Sequence, residues 1–142
     1  MSKNLEFVDK LRTSGLRPTK QRLKICEVLF NRENTFHFTI KDLAKSISKE
    51  LNEKISLATV YNTVHAFKNK GYLKEISINS DKSYFDTNTT SHHHFFDEDT
   101  NELIDCSEEV IETPKIKKNI LGKKINSVEV LVKVATDNQN QK

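Results

Sequence analysis

The sequence has few cysteines and no long apolar segment. Cys26 and Cys106 are its only cysteines, and no CxxC pair is present. This excludes a structural zinc site of four cysteines, and a disulfide is not expected in the cytosol. There is no run of 18 apolar residues, and the amino-terminal MSKNLEFVDK lacks the apolar core of a signal peptide. These absences predict a cytoplasmic protein without a membrane span.

The positive and negative charges are unevenly distributed along the 142 residues. Residues 1–86 carry 16 basic and 10 acidic side chains, a net charge of +6, whereas residues 87–142 carry 7 and 10, a net charge of −3. A basic first half favours a polyanion-binding unit followed by a unit of another kind. Ordinary scatter of surface charge is the alternative.

Apolar spacing and capping residues predict four helices in the first half of the chain. The first covers residues 5–12 with Leu5, Val8 and Leu11 inward. The second runs from the cap Thr19 to about Phe30, and the third starts at Thr39 with Asp42 completing a capping-box variant. The fourth begins after Ser56 and ends at Gly71. Its predicted buried face is Leu57, Val60, Val64 and Phe67, and its predicted solvent face is Thr59, Tyr61, Asn62, Thr63 and His65.

Two β-runs, 72–78 and 83–87, follow these helices and are joined by the turn residues Asn79-Ser80-Asp81. Helices that end in a polar-faced helix and are followed by a hairpin have the order of a winged helix-turn-helix DNA-binding domain. A generic helical domain with a trailing hairpin is the alternative.

The second half predicts a smaller α/β unit. Residues 87–91 (TNTTS) have the composition of a hinge, and strands are expected at 92–97, 102–106 and 128–134, with a short helix between 107 and 122. We therefore assign 1–86 to a winged-helix domain, 92–134 to a dimerisation and metal-sensing domain and 135–142 to a disordered tail; the fold class is α+β. So small a second unit cannot bury enough apolar surface alone, which predicts a homodimer.

Three consecutive histidines, His92-His93-His94, are the most unusual local feature. On a strand the first and third share one face and can share one metal ion. A solvated polar start of a strand is the alternative. Further ligand candidates are His37, Asp86 and Asp105, and such a mixed nitrogen and oxygen site suits Zn²⁺, Mn²⁺, Fe²⁺ or Co²⁺.

The motifs in combination resemble the ferric uptake regulator family. They are LRPTKQR at 16–22, SLATVYNT at 56–63, YFDTNT at 84–89 and HHHFF at 92–96. Within the family they look most like the iron response regulator branch of alphaproteobacteria. The resemblance runs from about residue 8 to residue 134 and implies a dimeric, metal-responsive repressor that binds AT-rich palindromic DNA.

The resemblance also implies site residues. DNA contacts carry over onto Arg17 and onto the start of the recognition helix, at Ser56, Thr59, Tyr61 and Asn62. One divalent ion per chain, Fe²⁺, Mn²⁺ or Zn²⁺, carries over onto His37, Asp86, His92, His94 and Asp105. Most members have Glu at the two carboxylate positions, where this chain has the shorter residues Asp86 and Asp105.

Three departures from the family pattern stand out. Asp97-Glu98-Asp99-Thr100 occupies the place of a cysteine pair that binds zinc in many relatives. A second metal site keeps His93 and Glu112, but Val128 replaces a usual histidine. Asn62 stands where many relatives have arginine.

These features predict a transcription regulator, not an enzyme. A haem-sensing regulator, in which His93 helps to ligate haem and DNA binding is abolished, is the alternative within the family. A metallo-hydrolase lacks support because there is no HExxH motif. A metal-storage or RNA-binding protein is a third class, which absence of sequence-selective duplex binding would favour.

Overall fold

The computed structural model describes residues 2–138, which form two units that divide between Thr89 and Thr90. This division falls inside the hinge predicted at 87–91. Residues 139–142 of the predicted disordered tail lie outside the described part of the chain. None of the helices in the described part is both long and apolar enough to cross a membrane.

The first unit contains four helices and a small sheet. Its helices are α1 (Ser2–Thr13), α2 (Lys20–Phe30), α3 (Ile40–Leu51) and α4 (Leu57–Lys70), and its strands are β1 (His37–Phe38), β2 (Lys74–Ser77) and β3 (Ser83–Asp86). The strand order is β1-β3-β2, and both pairings are antiparallel.

Local capping explains where α2, α3 and α4 begin. The side chains of Thr19, Thr39 and Ser56 each accept a hydrogen bond from a backbone N–H in the following first turn. These bonds satisfy donors that the helix itself leaves unpaired. Helices α3 and α4 end at Asn52 and Gly71, both in the left-handed conformation. The caps predicted at Thr19, Thr39, Ser56 and Gly71 are confirmed, whereas the end of α3 at Asn52 was not predicted.

The core of the first unit lies between the helices and β3. Its fully buried members include residues from all four helices and the sheet: Leu11, Ile25, Cys26, Leu29, Leu43, Ile47, Val60, Val64, Phe67 and Phe85. The inner face of α4 supplies three of them, so the opposite face of this helix is left to solvent.

Several predicted orientations in the first unit were wrong. Leu5 is 67% exposed, and Phe7 is the buried residue of that turn. Leu57 is 50% exposed because it is the first residue of α4 and precedes the packed turns. Thr63 is buried rather than solvent-facing, and its hydroxyl donates to the carbonyl of Thr59. A back-bonded hydroxyl satisfies its own polarity, which lets Thr sit among apolar residues.

The second unit is built on a three-stranded sheet of order β5-β4-β6. Its strands are β4 (His93–Asp97), β5 (Glu102–Cys106) and β6 (Leu131–Val134). Strands β4 and β5 form an antiparallel hairpin, and β6 lies parallel to β4. The two strands predicted at 92–97 and 102–106 are confirmed, whereas the last strand is shorter than the predicted 128–134.

The helix predicted between 107 and 122 was wrong. Residues 107–130, all of which the structure describes, contain turns but no helix. A helix this short needs tertiary packing to be stable. Here most of the large apolar side chains in the described part are exposed: Val110, Ile116, Ile120 and Leu121.

The left-handed ends of α3 and α4 give a stability prediction. Gly71 has φ +87°, and no neighbouring atom lies within 4 Å of the place that a Cβ would take, so Gly71→Ala meets backbone strain but no clash. We expect it to lower the free energy of unfolding by about 1–2 kcal/mol. The measurement is urea denaturation followed by circular dichroism at 222 nm, which reports the helices of the first unit.

Asn52→Gly is the matched control, since Asn52 holds the equivalent position with φ 52°. Glycine adopts this conformation freely, so its effect should stay within about 0.5 kcal/mol. Equal losses in the two variants would contradict the explanation by backbone conformation.

Candidate functional site

Two histidines and one aspartate converge in the second unit. Asp105 lies opposite His94 in the β4–β5 register, and His92 precedes His94 by two residues on the same side. The Oδ1 atom of Asp105 lies 3.0 Å from Nε2 of His94 and 3.3 Å from Nε2 of His92. The ligand atoms of the three residues all lie within 4.8 Å of one another. We call these three residues the histidine cluster.

A hydrogen bond fixes the orientation of His92. Its Nδ1 lies 2.8 Å from the carbonyl oxygen of Thr90, which can only accept, so Nδ1 carries the proton. In the neutral ring Nε2 then presents a lone pair towards Asp105. A ligating histidine usually makes such a bond through its other nitrogen.

The histidine cluster fits a divalent cation. The Nε2 lone pair of neutral His92 and the carboxylate oxygen repel each other unless a proton or a metal ion lies between them. Two imidazole nitrogens and one carboxylate oxygen are ligands that Zn²⁺, Mn²⁺ and Fe²⁺ accept. Three protein ligands leave coordination positions open for others.

The remaining predicted ligands, His37 and Asp86, pair with each other in the first unit. They are direct partners in the β1–β3 register. Asp86 is 1% exposed, and its Oδ1 accepts a hydrogen bond from the N–H of Asn88 at 2.8 Å. On the other side of β3 its register partner is Lys74, whose pKa is lowered by burial while the charge of Asp86 opposes that shift.

Strand pairing therefore places His37 beside Asp86 in the first unit and Asp105 beside His94 in the second. Strand β1, which brings His37 to Asp86, was missed in the sequence. The alternation Phe36-His37-Phe38 was its only signal, and two residues are too few for a periodic pattern. That one ion takes ligands from both units stays a prediction.

Both ring nitrogens of His93 take part in hydrogen bonds, and its role as a ligand of haem or a second metal ion stays a prediction. It is 3% exposed, and its Nδ1 accepts a hydrogen bond from the N–H of Val130 at 2.9 Å. The neutral ring therefore carries its proton on Nε2 and donates it to Oγ1 of Thr113, also at 2.9 Å. Thr113 in turn donates to a carboxylate oxygen of Glu108. Both ring nitrogens are used, and Glu112, the other predicted ligand, is exposed.

Neither cysteine suits metal binding as a thiolate. Both are free thiols, and burial raises the pKa of Cys26 to about 12. Burial and the charge of Asp105 also raise the pKa of Cys106. At neutral pH both are protonated, so the candidate site depends on nitrogen and oxygen donors alone.

The outer face of α4 carries the predicted DNA-binding residues. Tyr61 is 52% exposed, and Asn62 is exposed beside it. Ser56 and Thr59 also form hydrogen bonds at the start of the helix. Their hydroxyl oxygens lie 2.8 Å apart, and Ser56 Oγ accepts a hydrogen bond from the N–H of Thr59.

Arg17 lies before α2 with its side chain exposed. The guanidinium of Arg22 donates to the carbonyl oxygen of Arg17 at 3.1 Å, which holds the backbone of this basic segment. The side chain of Arg17 is therefore presented from a fixed backbone position.

Comparison with known proteins identifies the family. A sequence model of the ferric uptake regulator family matches residues 13–134. The chain belongs to the ferric uptake regulator family. Members of this family are transcription regulators and not enzymes.

Individual relatives fit this assignment. The chain is 33% identical to the peroxide-responsive repressor PerR of Staphylococcus aureus over 100 residues, which cover 70% of this chain and 66% of that protein. The chain thus spans slightly less than two thirds of the length of that repressor.

Solved structures agree over most of the chain. The ferric uptake regulator of Pseudomonas aeruginosa, solved with manganese, has a TM-score of 0.64 and 28% identity and covers 96% of this chain and 98% of its own. That of Vibrio cholerae has a TM-score of 0.69 and 27% identity, covering 91% and 98%. The predicted α+β class, with a DNA-binding domain followed by a dimerisation domain, is confirmed for this family member. The finer assignment to the iron response regulator branch stays a prediction.

The His93 network of this family member gives a second prediction. Thr113→Val leaves the buried Nε2–H of His93 without its acceptor, which costs about 1–3 kcal/mol. The N–H of Val130, held by the same ring, should then exchange with solvent faster, as measured by hydrogen–deuterium exchange.

Thr100→Val is the control, because Thr100 is exposed in the β4–β5 turn. It should leave the exchange of Val130 unchanged. Unchanged protection of Val130 in Thr113→Val would show that the network does not hold this segment.

Proposed function

We propose that this chain is a metal-responsive repressor of transcription that binds AT-rich palindromic DNA as a homodimer. The observation that carries the proposal is the histidine cluster, in which two imidazole nitrogens meet one carboxylate oxygen within 3.3 Å. Family membership supports a metal-dependent, DNA-binding regulator. The repressor role follows the relative from Staphylococcus aureus, which is a repressor.

The proposed ligands of one divalent ion per chain are His37, Asp86, His92, His94 and Asp105. When bound, the ion supplies a double positive charge that neutralises the two carboxylates. His92 is already oriented by its bond to Thr90, and Asp86 by its bond from Asn88. Ligands that are fixed before binding lose little conformational entropy when the ion arrives. Fe²⁺, Mn²⁺ and Zn²⁺ all suit these donors, and a manganese-containing relative supports this class of ion.

The proposed response to metal follows from where the ligands lie in the chain. Two are in the first unit and three in the second, so an ion that binds all five restricts the hinge at 87–91. The ion shifts the protein towards the DNA-binding arrangement only by its higher affinity for that arrangement. Haem is left out of the proposal, because His93 uses both ring nitrogens elsewhere.

The proposed DNA contacts lie on the first unit. An exposed tyrosine on α4 suits apolar contact with thymine methyl groups in the major groove, and Asn62 suits hydrogen bonds to base edges. Arg17 suits the narrow minor groove of AT-rich DNA, where the negative potential is strongest. The seven basic and two acidic residues among the first 24 give the first unit the charge that phosphate contacts need.

The proposed dimer covers the apolar surface of the second unit. Six large apolar side chains are at least 43% exposed there: Ile104, Val110, Ile116, Ile120, Leu121 and Ile125. So many exposed apolar side chains in one small unit are typical of an interface, and a second copy suits them because closed pairs are the commonest assembly.

The metal proposal predicts the behaviour of the histidine cluster. His92→Ala/His94→Ala should lose the bound ion, measured by elemental analysis after dialysis, because two of the ligands are removed. Its DNA affinity should no longer respond to added Mn²⁺ in a binding titration. Glu98→Gln, an exposed carboxylate of the same hairpin, is the control and should keep both properties.

A full metal complement in the double variant would refute the assigned ligands. Loss of the ion with an unchanged response of DNA binding to Mn²⁺ would instead refute the proposed link between ion and DNA.

The dimer proposal predicts the mass in solution. Analytical ultracentrifugation at micromolar concentration should give twice the chain mass of 16.4 kDa. Ile120→Glu/Leu121→Glu should shift the mass to that of one chain, since charge is costly inside an interface. Leu5→Glu, which changes an exposed leucine on α1, should remain a dimer. A monomeric wild-type chain would overturn this part of the proposal.

A further inference from the structure

A stack of three aromatic rings runs from the exposed surface of α4 into the core of the first unit. The rings of Tyr61 and His65 lie 4.0 Å apart between centroids at an angle of 33°. The ring of His65 meets that of Phe85 edge-on at 5.3 Å and 77°. His65 was predicted as an ordinary member of the solvent face, and its place in this stack was missed.

The inner end of the stack is firmly held. Phe85 is 2% exposed on β3, the central strand of the sheet, and stacks on Phe38 of β1 at 6.1 Å. His65 itself is half-buried, one helical turn after Tyr61. The ring of His65 therefore rests on a fixed surface, and Tyr61 rests on His65.

The outer end of the stack is the tyrosine that we assign to base contact. An exposed tyrosine on a helix ordinarily samples several rotamers, and fixing one on binding costs entropy. The ring of Tyr61 lies 4.0 Å, between centroids, from the ring of His65, which is itself held in place. This contact limits the rotamers of Tyr61 before DNA binds. Aromatic pairs of this geometry contribute beyond simple burial.

We propose that His65 is a positioning residue that sets the direction of the Tyr61 ring for reading a thymine methyl group. The inference rests on the proposed function, since it assumes that α4 reads DNA. His65 acts through Tyr61 and does not itself contact a base. Ring shape, rather than charge, is the property that the position needs.

The experiment compares His65→Ala, which removes the ring, with His65→Phe, which restores one. The probe is an AT-rich palindromic duplex selected in vitro with the wild-type protein in Mn²⁺. A parallel set of duplexes replaces one thymidine at a time with deoxyuridine, which lacks only the methyl group. Tyr61→Ala identifies the thymine that Tyr61 reads, as the position where methyl removal no longer weakens binding.

At that position the wild-type protein should prefer thymine over uracil. His65→Ala should lose this preference and bind the thymine duplex about two- to tenfold more weakly, the range expected for one aromatic pair. His65→Phe should restore both the preference and the affinity. A purely structural role would weaken binding to all duplexes alike and leave the ratio of thymine to uracil affinity unchanged.

The ring protons of Tyr61 in the free protein give an independent readout. The ring current of His65 shifts their proton resonances, and His65→Ala should move them towards the values of an unstacked tyrosine. Should His65→Ala fail to fold by circular dichroism, His65→Gln takes its place, since it keeps the volume without the ring.

An unchanged thymine preference in folded His65→Ala or His65→Gln would overturn the inference. Absence of any selected duplex for the wild-type protein would instead refute the proposed function. In that case the Tyr61 resonances still decide whether His65 orients the ring.

Discussion

The register of β3 between β1 and β2 is the constraint on which the first unit depends. It sets His37 opposite Asp86 on one side and Lys74 opposite Asp86 on the other. Because side chains alternate along a strand, the same register turns the preceding Phe85 to the opposite face, into the helical core. A shift by one residue would place the carboxylate on the face that packs against the helical core and the ring on the face that now holds Asp86, so both positions are specified together.

Strand β4 has the same central place in the second unit. Its register with β5 brings Asp105 to His94, and its pairing with β6 brings the N–H of Val130 to the ring of His93. Because side chains point alternately to the two faces of the sheet, the three consecutive histidines have two different roles. His92 and His94 are proposed to offer nitrogens to a cation, whereas His93 holds the irregular chain after β5 to the sheet through Thr113 and Val130. Identical side chains in sequence thus acquire different chemistry from the pleat alone.

The sequence was sufficient to predict features that depend on neighbours along the chain. Thr19, Thr39, Ser56 and Gly71 mark helix ends by local hydrogen bonding and backbone conformation, and the structure agrees with each of them. Features that depend on distant neighbours were missed or wrong. The pairing of β1 with β3 spans about half of the first unit, and the ring stack under Tyr61 needs Phe85 from another element.

The helix predicted at 107–122 failed for a related reason. Its Pro and Gly signals describe where a helix can begin and end, but only packing decides whether so short a helix exists. Among the residues concerned, Val110, Ile116, Ile120 and Leu121 are exposed, so they contribute little of that packing.

In the first unit a short path connects Asp86, a proposed ligand, to α4, the helix that we propose reads DNA. Asp86 and Phe85 are neighbours on β3, and Phe85 supports His65, which supports Tyr61. An ion that takes Asp86 as a ligand restrains the strand that forms the base of the ring stack. Two binding sites are coupled when both ligands bind more tightly to the same conformation of a shared structural element. Strand β3 carries both Asp86, the register partner of His37, and Phe85, the ring on which His65 rests. Asp86, a proposed metal ligand, and Tyr61, the proposed base-reading residue, are therefore connected within one domain through the chain of β3 and through ring contacts.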